Sequence, residues 1–156
     1  MNNVFVALGN QLFEPQLLIK LGCKHVFMSE DFELCRYEKH HKLKLYLFLT
    51  AMREYRDELE DAGLSVHYSQ LEDRSENETF LEHLVDFATH NNIQQLNFFE
   101  IEDKSFENDL NQFIKLKGYS LNTHNTKMFM DSRESFRTYV DAVSYTHLTL
   151  PTILLV

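Results

Sequence analysis

The chain has 156 residues, enough for one hydrophobic core and too few for two comfortable ones; 44% apolar content with 13 Phe and 7 Tyr supplies an interior that disordered chains lack. A formal charge of -9 repels phosphate backbones, so this chain alone is not expected to grip DNA or RNA. Cys23 and Cys35 form neither a CxxC pair nor a disulfide scaffold, no apolar run nears the ~18 residues of a membrane span, and the start MNNVFVALGNQLF lacks a basic signal-peptide region; a soluble, cytoplasmic protein with reduced thiols and no membrane partner is expected.

Strand-like and helix-like periods alternate along the chain, the signature of an α/β sheet with crossover helices. Val4 to Leu8 is an apolar run stopped by Gly9 and predicts a first buried strand. Glu14 to Leu21 follows with the spacing of a short helix, Pro15 being tolerated in its first turn and Gly22 ending it. His25 to Ser29 predicts a second strand, and Asp31 to Tyr37 a loop. From Lys39 to Ala62, residues Leu45, Phe48, Leu49, Met52, Tyr55 and Leu59 recur at helical steps until Gly63 supplies a stop. Its outer face carries Arg53, Arg56, Asp57, Glu58 and Glu60 and is expected to be solvated. Leu64 to Tyr68 predicts a third strand, Glu76 to His90 a helix burying Phe80, Leu84, Phe87 and Ala88, and Ile93 to Phe99 a fourth strand. Lys104 to Lys117 then reads as a helix with Leu110, Phe113 and Ile114 inward, Tyr119 to Asn122 as a fifth strand, and Ser132 to Val140 as a last helix capped by Ser132.

Several polar groups fall where such a sheet would hold a ligand. Gly9, Asn10 and Gln11 follow the first strand, where glycine lets backbone approach a ligand and the amides offer donors and acceptors; a turn glycine with two solvated amides fits the same letters. The segment is not GxGxxG, so no dinucleotide fingerprint is present. Glu30 and Asp31 follow the second strand and could accept hydrogen bonds from a ligand or cap a turn. His40 and His41 are adjacent, so on a helix they point about 100° apart and cannot share one metal; without HExxH or CxxC no metal site is expected. Lys42 and Lys44 add positive charge to a helix start, a corner suited to an anionic or electron-rich ligand, or simply a solvated basic first turn. Phe48, Met52 and Tyr55 read as core. No GxSxG, Cys–His signature or isolated carboxylate pair marks a catalytic residue.

The end of the chain reads differently. Residues 143 to 152, VSYTHLTLPT, back-translate as GTC TCT TAT ACA CAT CTG ACG CTG CCG ACG, a string that looks like the adapter of transposase-based sequencing libraries. On that reading residues 1–142 are one native α/β domain of a truncated protein and 143–156 are not native; the alternative is a genuine apolar terminal strand ending in ILLV.

LGNQLF, VFMSE, CRYEKHHKLKLYLFLTAMREYRDELEDAGLSVHY and TKMFMDSRESF, in this order over Val4 to Val140, resemble the amino-terminal domain of the deoxyribodipyrimidine photolyase-related proteins, the bacterial iron–sulfur branch of the photolyase/cryptochrome family. The resemblance implies a Rossmann-like, mostly parallel five-stranded sheet with helices on both faces. It further implies a domain that holds a 6,7-dimethyl-8-ribityllumazine-type antenna. FAD and a 4Fe-4S cluster would lie in a helical domain beyond this segment, which would also be the part that meets damaged DNA. The antenna would pass light energy to the flavin for (6-4) photoproduct repair, in a monomeric protein. Gly9 and Gln11 match the family's LGDQL turn, whereas Asn10 stands where aspartate is usual; Glu30, Tyr37, His40, His41 and Lys44 fall on its E…Y..HHK.K block. Glu30 and the amide pair are expected at the ring edge and the His-Lys corner at the polar rim, converging in one cleft. A free-standing flavin- or nucleotide-binding module and a cryptochrome-type photoreceptor fragment are the alternative functions.

Overall fold

The computed structural model describes residues 2–36 and 38–143, with nothing said of the Leu34 side chain. Tyr37 and nearly all of the tail read as adapter therefore lie outside the described residues. The chain divides into two compact units, Met1–Thr126 and Lys127–Val156.

The first unit is built on strands β1 (Asn3–Val6), β2 (His25–Ser29), β3 (Ser65–Ser69), β4 (Gln95–Phe99) and β5 (Ser120–His124). They form one sheet in the order β3-β2-β1-β4-β5. Every pairing is parallel, Val26 standing opposite Phe5, and Leu96 opposite Val4. The sheet is thus five-stranded and α/β as expected, and wholly parallel. Helices α1 (Pro15–Lys20), α2 (Phe32–Arg36), α3 (Lys42–Asp61), α4 (Phe80–His90) and α5 (Lys104–Lys117) connect the strands, with a 3-10 turn at Leu71–Asp73.

Alternation along β1 explains why its apolar run is unbroken. Val4 and Val6 pack with Phe27, Leu96 and the α4 and α5 residues Leu84, Phe87, Leu110 and Ile114. Phe5 and Ala7 enter the second cluster with Leu18 of α1 and Met52, Tyr55 and Leu59 of α3. A strand covered on both faces needs apolar residues at every position. Each fully buried Phe or Leu contributes about 2–3 kcal/mol relative to exposure, so the central strands anchor the unit.

Caps fix the helix starts. Asp103 caps α5, its carboxylate accepting from the Ser105 and Phe106 N–H groups at 2.8 and 3.2 Å. Thr79 and Glu82 form a capping box that starts α4 at Phe80, four residues later than the sequence suggests. His41 caps α3 through Nδ1, which accepts from the Leu43 N–H at 3.2 Å, so that helix begins at Lys42 and not Lys39. Residues 32–36, expected as loop, form the five-residue α2, too short to show a period in the sequence.

In the second unit, α6 (Arg133–Ala142) starts where Ser132 Oγ accepts from the Ser135 N–H at 3.1 Å. No helix among the described residues is long and apolar enough to cross a membrane.

Candidate functional site: a cavity at the strand carboxyl ends

The strand order reverses between the central β1 and its neighbour β4: from β1 the chain continues outward to β2 and β3 on one side, and from β4 to β5 on the other. At such a point the loops leaving the carboxyl ends diverge and leave a crevice. A cavity of about 690 Å³ occupies this place. The loop after β1 gives it Leu8, Gly9 and Asn10, and the segment after β4 gives Ile101, Glu102 and Asp103. Ser29, Asp31, Glu33 and Arg36 come from the end of β2 and from α2. Phe48 and Met52 of α3, Phe80 of α4 and Phe106 of α5 close the apolar wall.

Gly9 is required here by space. A Cβ on it would stand 2.5 Å from Phe48 Cζ and 2.8 Å from Met52 Sδ, so backbone and α3 touch directly. Phe48 and Met52, expected as core, therefore also form the cavity wall, and Met52 does so while only 2% exposed.

The amides of the β1 loop act mainly on Glu102. Gln11 is buried at 1% exposure, and its Nε2 donates to the Glu100 carbonyl at 2.7 Å and to Glu102 Oε1 at 3.0 Å. Asn10 Nδ2 donates to the other oxygen, Oε2, at 3.1 Å. Two donors from one loop thus hold a carboxylate of the neighbouring loop at the cavity, while Gln11 Oε1 is buried without a hydrogen-bond partner. An aspartate at position 10 would instead face Glu102 with like charge, which the amide avoids.

Glu30 is engaged elsewhere. Its side chain is fully buried, with Oε1 accepting from Arg53 Nε at 2.7 Å and from the Tyr68 hydroxyl at 2.7 Å. Oε2 accepts from Arg53 Nη2 and from the Leu71 N–H, both at 3.0 Å. Burial pushes this carboxyl up, but the hydrogen bonds from Arg53, Tyr68 and Leu71 and the Arg53 charge outweigh it and hold it below the usual carboxylate range. Burial and the Glu30 contact raise the Tyr68 phenol. Arg53, expected on a solvated face, is thus the clamp between α3 and β2. Arg56, one turn further, has its guanidinium 5.3 Å from the Tyr68 ring centre.

Arg74 completes this framework behind the β2 end. Its side chain is fully buried, Nη1 donating to the Glu30 carbonyl at 2.6 Å and Nη2 to the Glu78 carbonyl at 3.0 Å. Its Nε lacks a hydrogen-bond acceptor although Glu78 Oε2 stands 3.5 Å away; we regard that as an ion contact without hydrogen-bond geometry. Nearby, His83 Nε2 lies 2.8 Å from Ser69 Oγ, and its Nδ1 3.4 Å from Glu78 Oε2. This resembles a nucleophile triplet, but Ser69 is only 6% exposed and neither it nor His83 lines the cavity. Burial pushes His83 and His67 down, favouring neutral rings.

Of the residues singled out in the sequence, the cavity brings together Gly9, Asn10 and Asp31. Gln11, Glu30, His40, His41 and Lys44 are not among its described lining residues. His41 caps α3, and Lys44 Nζ lies 3.2 Å from His40 Nδ1 on the exposed start of that helix. Phe48 follows His41 by seven residues, about 10 Å along the axis, so the basic corner and the glycine-amide turn flank one helix without meeting in the cavity. Glu102, Asp103, Ile101 and Phe106 were not singled out for the site. The signal for the first two was the carboxylate pair in FFEIED after the fourth strand, the same signal that marked Glu30 and Asp31 after the second. Among the described residues no group of three His, Cys, Asp or Glu is placed to hold a metal ion.

The cavity is therefore an apolar slot lined also by carboxylates and the Asn10 amide, in the place where doubly wound sheets bind ligands. The family model for deoxyribodipyrimidine photo-lyase-related protein matches residues 5–149. No curated protein matches the chain. With the match covering most of its length, over the strands and helices that frame the cavity, the chain belongs to the deoxyribodipyrimidine photo-lyase-related protein family.

Proposed function

We propose that this chain is the antenna-binding domain of a photolyase/cryptochrome-like DNA-repair flavoprotein, its cavity holding a 6,7-dimethyl-8-ribityllumazine-type chromophore. The observation that carries the reading is the cavity itself: about 690 Å³, with Phe48, Met52, Phe80 and Phe106 against a ring and Glu102 fixed at the mouth. A volume in this range suits a bicyclic ring with a five-carbon polyol. The residues fit the group: aromatic and thioether walls suit a flat heterocycle, and the Glu102 carboxylate can accept hydrogen bonds from ribityl hydroxyls. When bound, such a chromophore absorbs near-ultraviolet or blue light and passes excitation onward.

The chain's own part is to exclude water around the ring, fix its orientation and keep the polyol at the mouth. FAD, a 4Fe-4S cluster and contact with damaged DNA belong to the proposal through a helical domain outside this segment, in a monomeric cytoplasmic protein. The test is a titration of the purified chain with 6,7-dimethyl-8-ribityllumazine, followed by ligand absorption and fluorescence anisotropy. Saturable one-to-one binding with Kd of about 10 μM or tighter is expected, about -7 kcal/mol. Unchanged spectra and anisotropy at ~200 μM protein, some twentyfold above that Kd, would reject the reading.

A further inference from the structure

We propose that the cavity selects against phosphate esters, taking an unphosphorylated ribityl heterocycle and rejecting its 5′-phosphate. The inference rests on the antenna reading above and adds a charge rule to it. Four carboxylates, Asp31, Glu33, Glu102 and Asp103, line the cavity, Asp31 being already paired with the buried Arg74 Nη1 at 3.4 Å, against one cation among the described lining residues, Arg36. Arg36 is already committed: its Nη2 donates to Glu76 Oε2 at 2.8 Å, and its guanidinium lies 5.0 Å from the Phe32 ring centre.

The helix N-terminus beside the cavity, the feature that normally offsets phosphate charge at a switch point, is also taken. In doubly wound sheets a helix N-terminus donates its free N–H groups to the phosphate. Here the N-terminus of α5 faces its own Asp103 carboxylate, which accepts from the Ser105 and Phe106 N–H groups. After β1 there is no glycine-rich phosphate turn, and α1 opens with Pro15, which has no N–H, behind Glu14. A phosphate at the mouth would meet carboxylates, whereas ribityl hydroxyls can donate to those carboxylates. At low salt such like-charge contacts are weakly screened.

The experiment compares 6,7-dimethyl-8-ribityllumazine with its 5′-phosphate ester on the full chain, by fluorescence anisotropy in ~20 mM and ~500 mM salt. The ester is expected to bind at least about tenfold more weakly at low salt, the gap narrowing at high salt. Glu33→Lys, which reverses a rim charge whose side chain holds no other element in place, is expected to narrow the low-salt gap by about threefold or more. Equal affinities for the two ligands would overturn the charge rule while leaving the antenna reading standing. A gap that ignores both salt and Glu33→Lys would make the discrimination steric and overturn the rule as well. Binding of neither ligand would overturn the antenna reading and this inference together.

Discussion

Gly9→Val is expected to weaken lumazine binding by about a hundredfold and Gly9→Ala by about tenfold, ~2.7 and ~1.4 kcal/mol, with the fold retained. A Cβ at position 9 would meet Phe48 Cζ at 2.5 Å, Met52 Sδ at 2.8 Å and Phe48 Cε1 at 2.9 Å. All three atoms belong to the outer parts of side chains, so the wall yields before the backbone does. Overpacking of this kind costs about 1–3 kcal/mol, and the displaced ring and thioether are themselves cavity wall. Gly22→Ala separates this effect from general destabilisation. Gly22 has φ of 75°, so alanine there is strained, yet its Cβ would meet nothing within 4 Å. That variant should lose about 1 kcal/mol of stability and bind lumazine as wild type does. Tight binding by Gly9→Val would show that the ligand does not use this wall.

Glu30→Ala is expected to destabilise the chain by about 2–4 kcal/mol in urea unfolding at pH 7, whereas Glu60→Ala, on the exposed face of α3, should stay within about 0.5 kcal/mol of wild type. The substitution removes four hydrogen bonds at once and leaves the Tyr68 hydroxyl, the Leu71 N–H and Arg53 without their acceptor. Arg53 retains Glu72, 3.7 Å away, and is partly exposed, which limits the loss. The effect has a pH signature. Because folding lowers the Glu30 pKa from an ordinary value of 4.5, its contribution is complete above that value and disappears as pH falls through the folded-state pKa. The difference between wild type and Glu30→Ala should therefore be constant from neutral pH to about 5.5 and shrink below about 4.5. A difference that persisted unchanged at pH 3 would mean that packing, and not the ionised carboxylate, carries the effect.

The sheet was readable because both-face burial leaves unbroken apolar runs, and punctuation bounds them. The β2 strand and α5 fall on the residues expected, His25–Ser29 and Lys104–Lys117, the latter between the Asp103 cap and Gly118 in the left-handed conformation. Periodicity could not reveal α2, which has fewer than two turns. Nor could it assign Arg53. Its place on the outer half of α3 reads as solvent-facing until the end of β2 brings a buried carboxylate beneath it. Arg74 was hidden for a different reason: its main partners are the backbone carbonyls of Glu30 and Glu78, which leave no mark in residue type.

The candidate site was legible in part for related reasons. A glycine and amides after the first strand were visible as a ligand-side turn, and Gly9 and Asn10 do line the cavity. Glu30 carried the same signal as Glu102, a carboxylate after a strand, and sequence alone could not rank them. Strand order separates the two. β4 adjoins β1 across the switch point, so Glu102 reaches the β1 amides, whereas the side chain after β2 turns toward α3 and β3. The histidines owe their place to helix geometry: His41 satisfies the first turn of α3, and the cavity meets that helix two turns later.

Amide hydrogen exchange of the full chain, with and without saturating 6,7-dimethyl-8-ribityllumazine, tests the central claim most directly. Protection should rise at Leu8 to Gln11, around Phe48 to Met52 and from Ile101 to Phe106, the three segments that frame the cavity, while β5 is unchanged. Ligand-dependent protection confined to the start of α3 at Lys42 to Tyr46, or absent from all three segments at saturation, would contradict it.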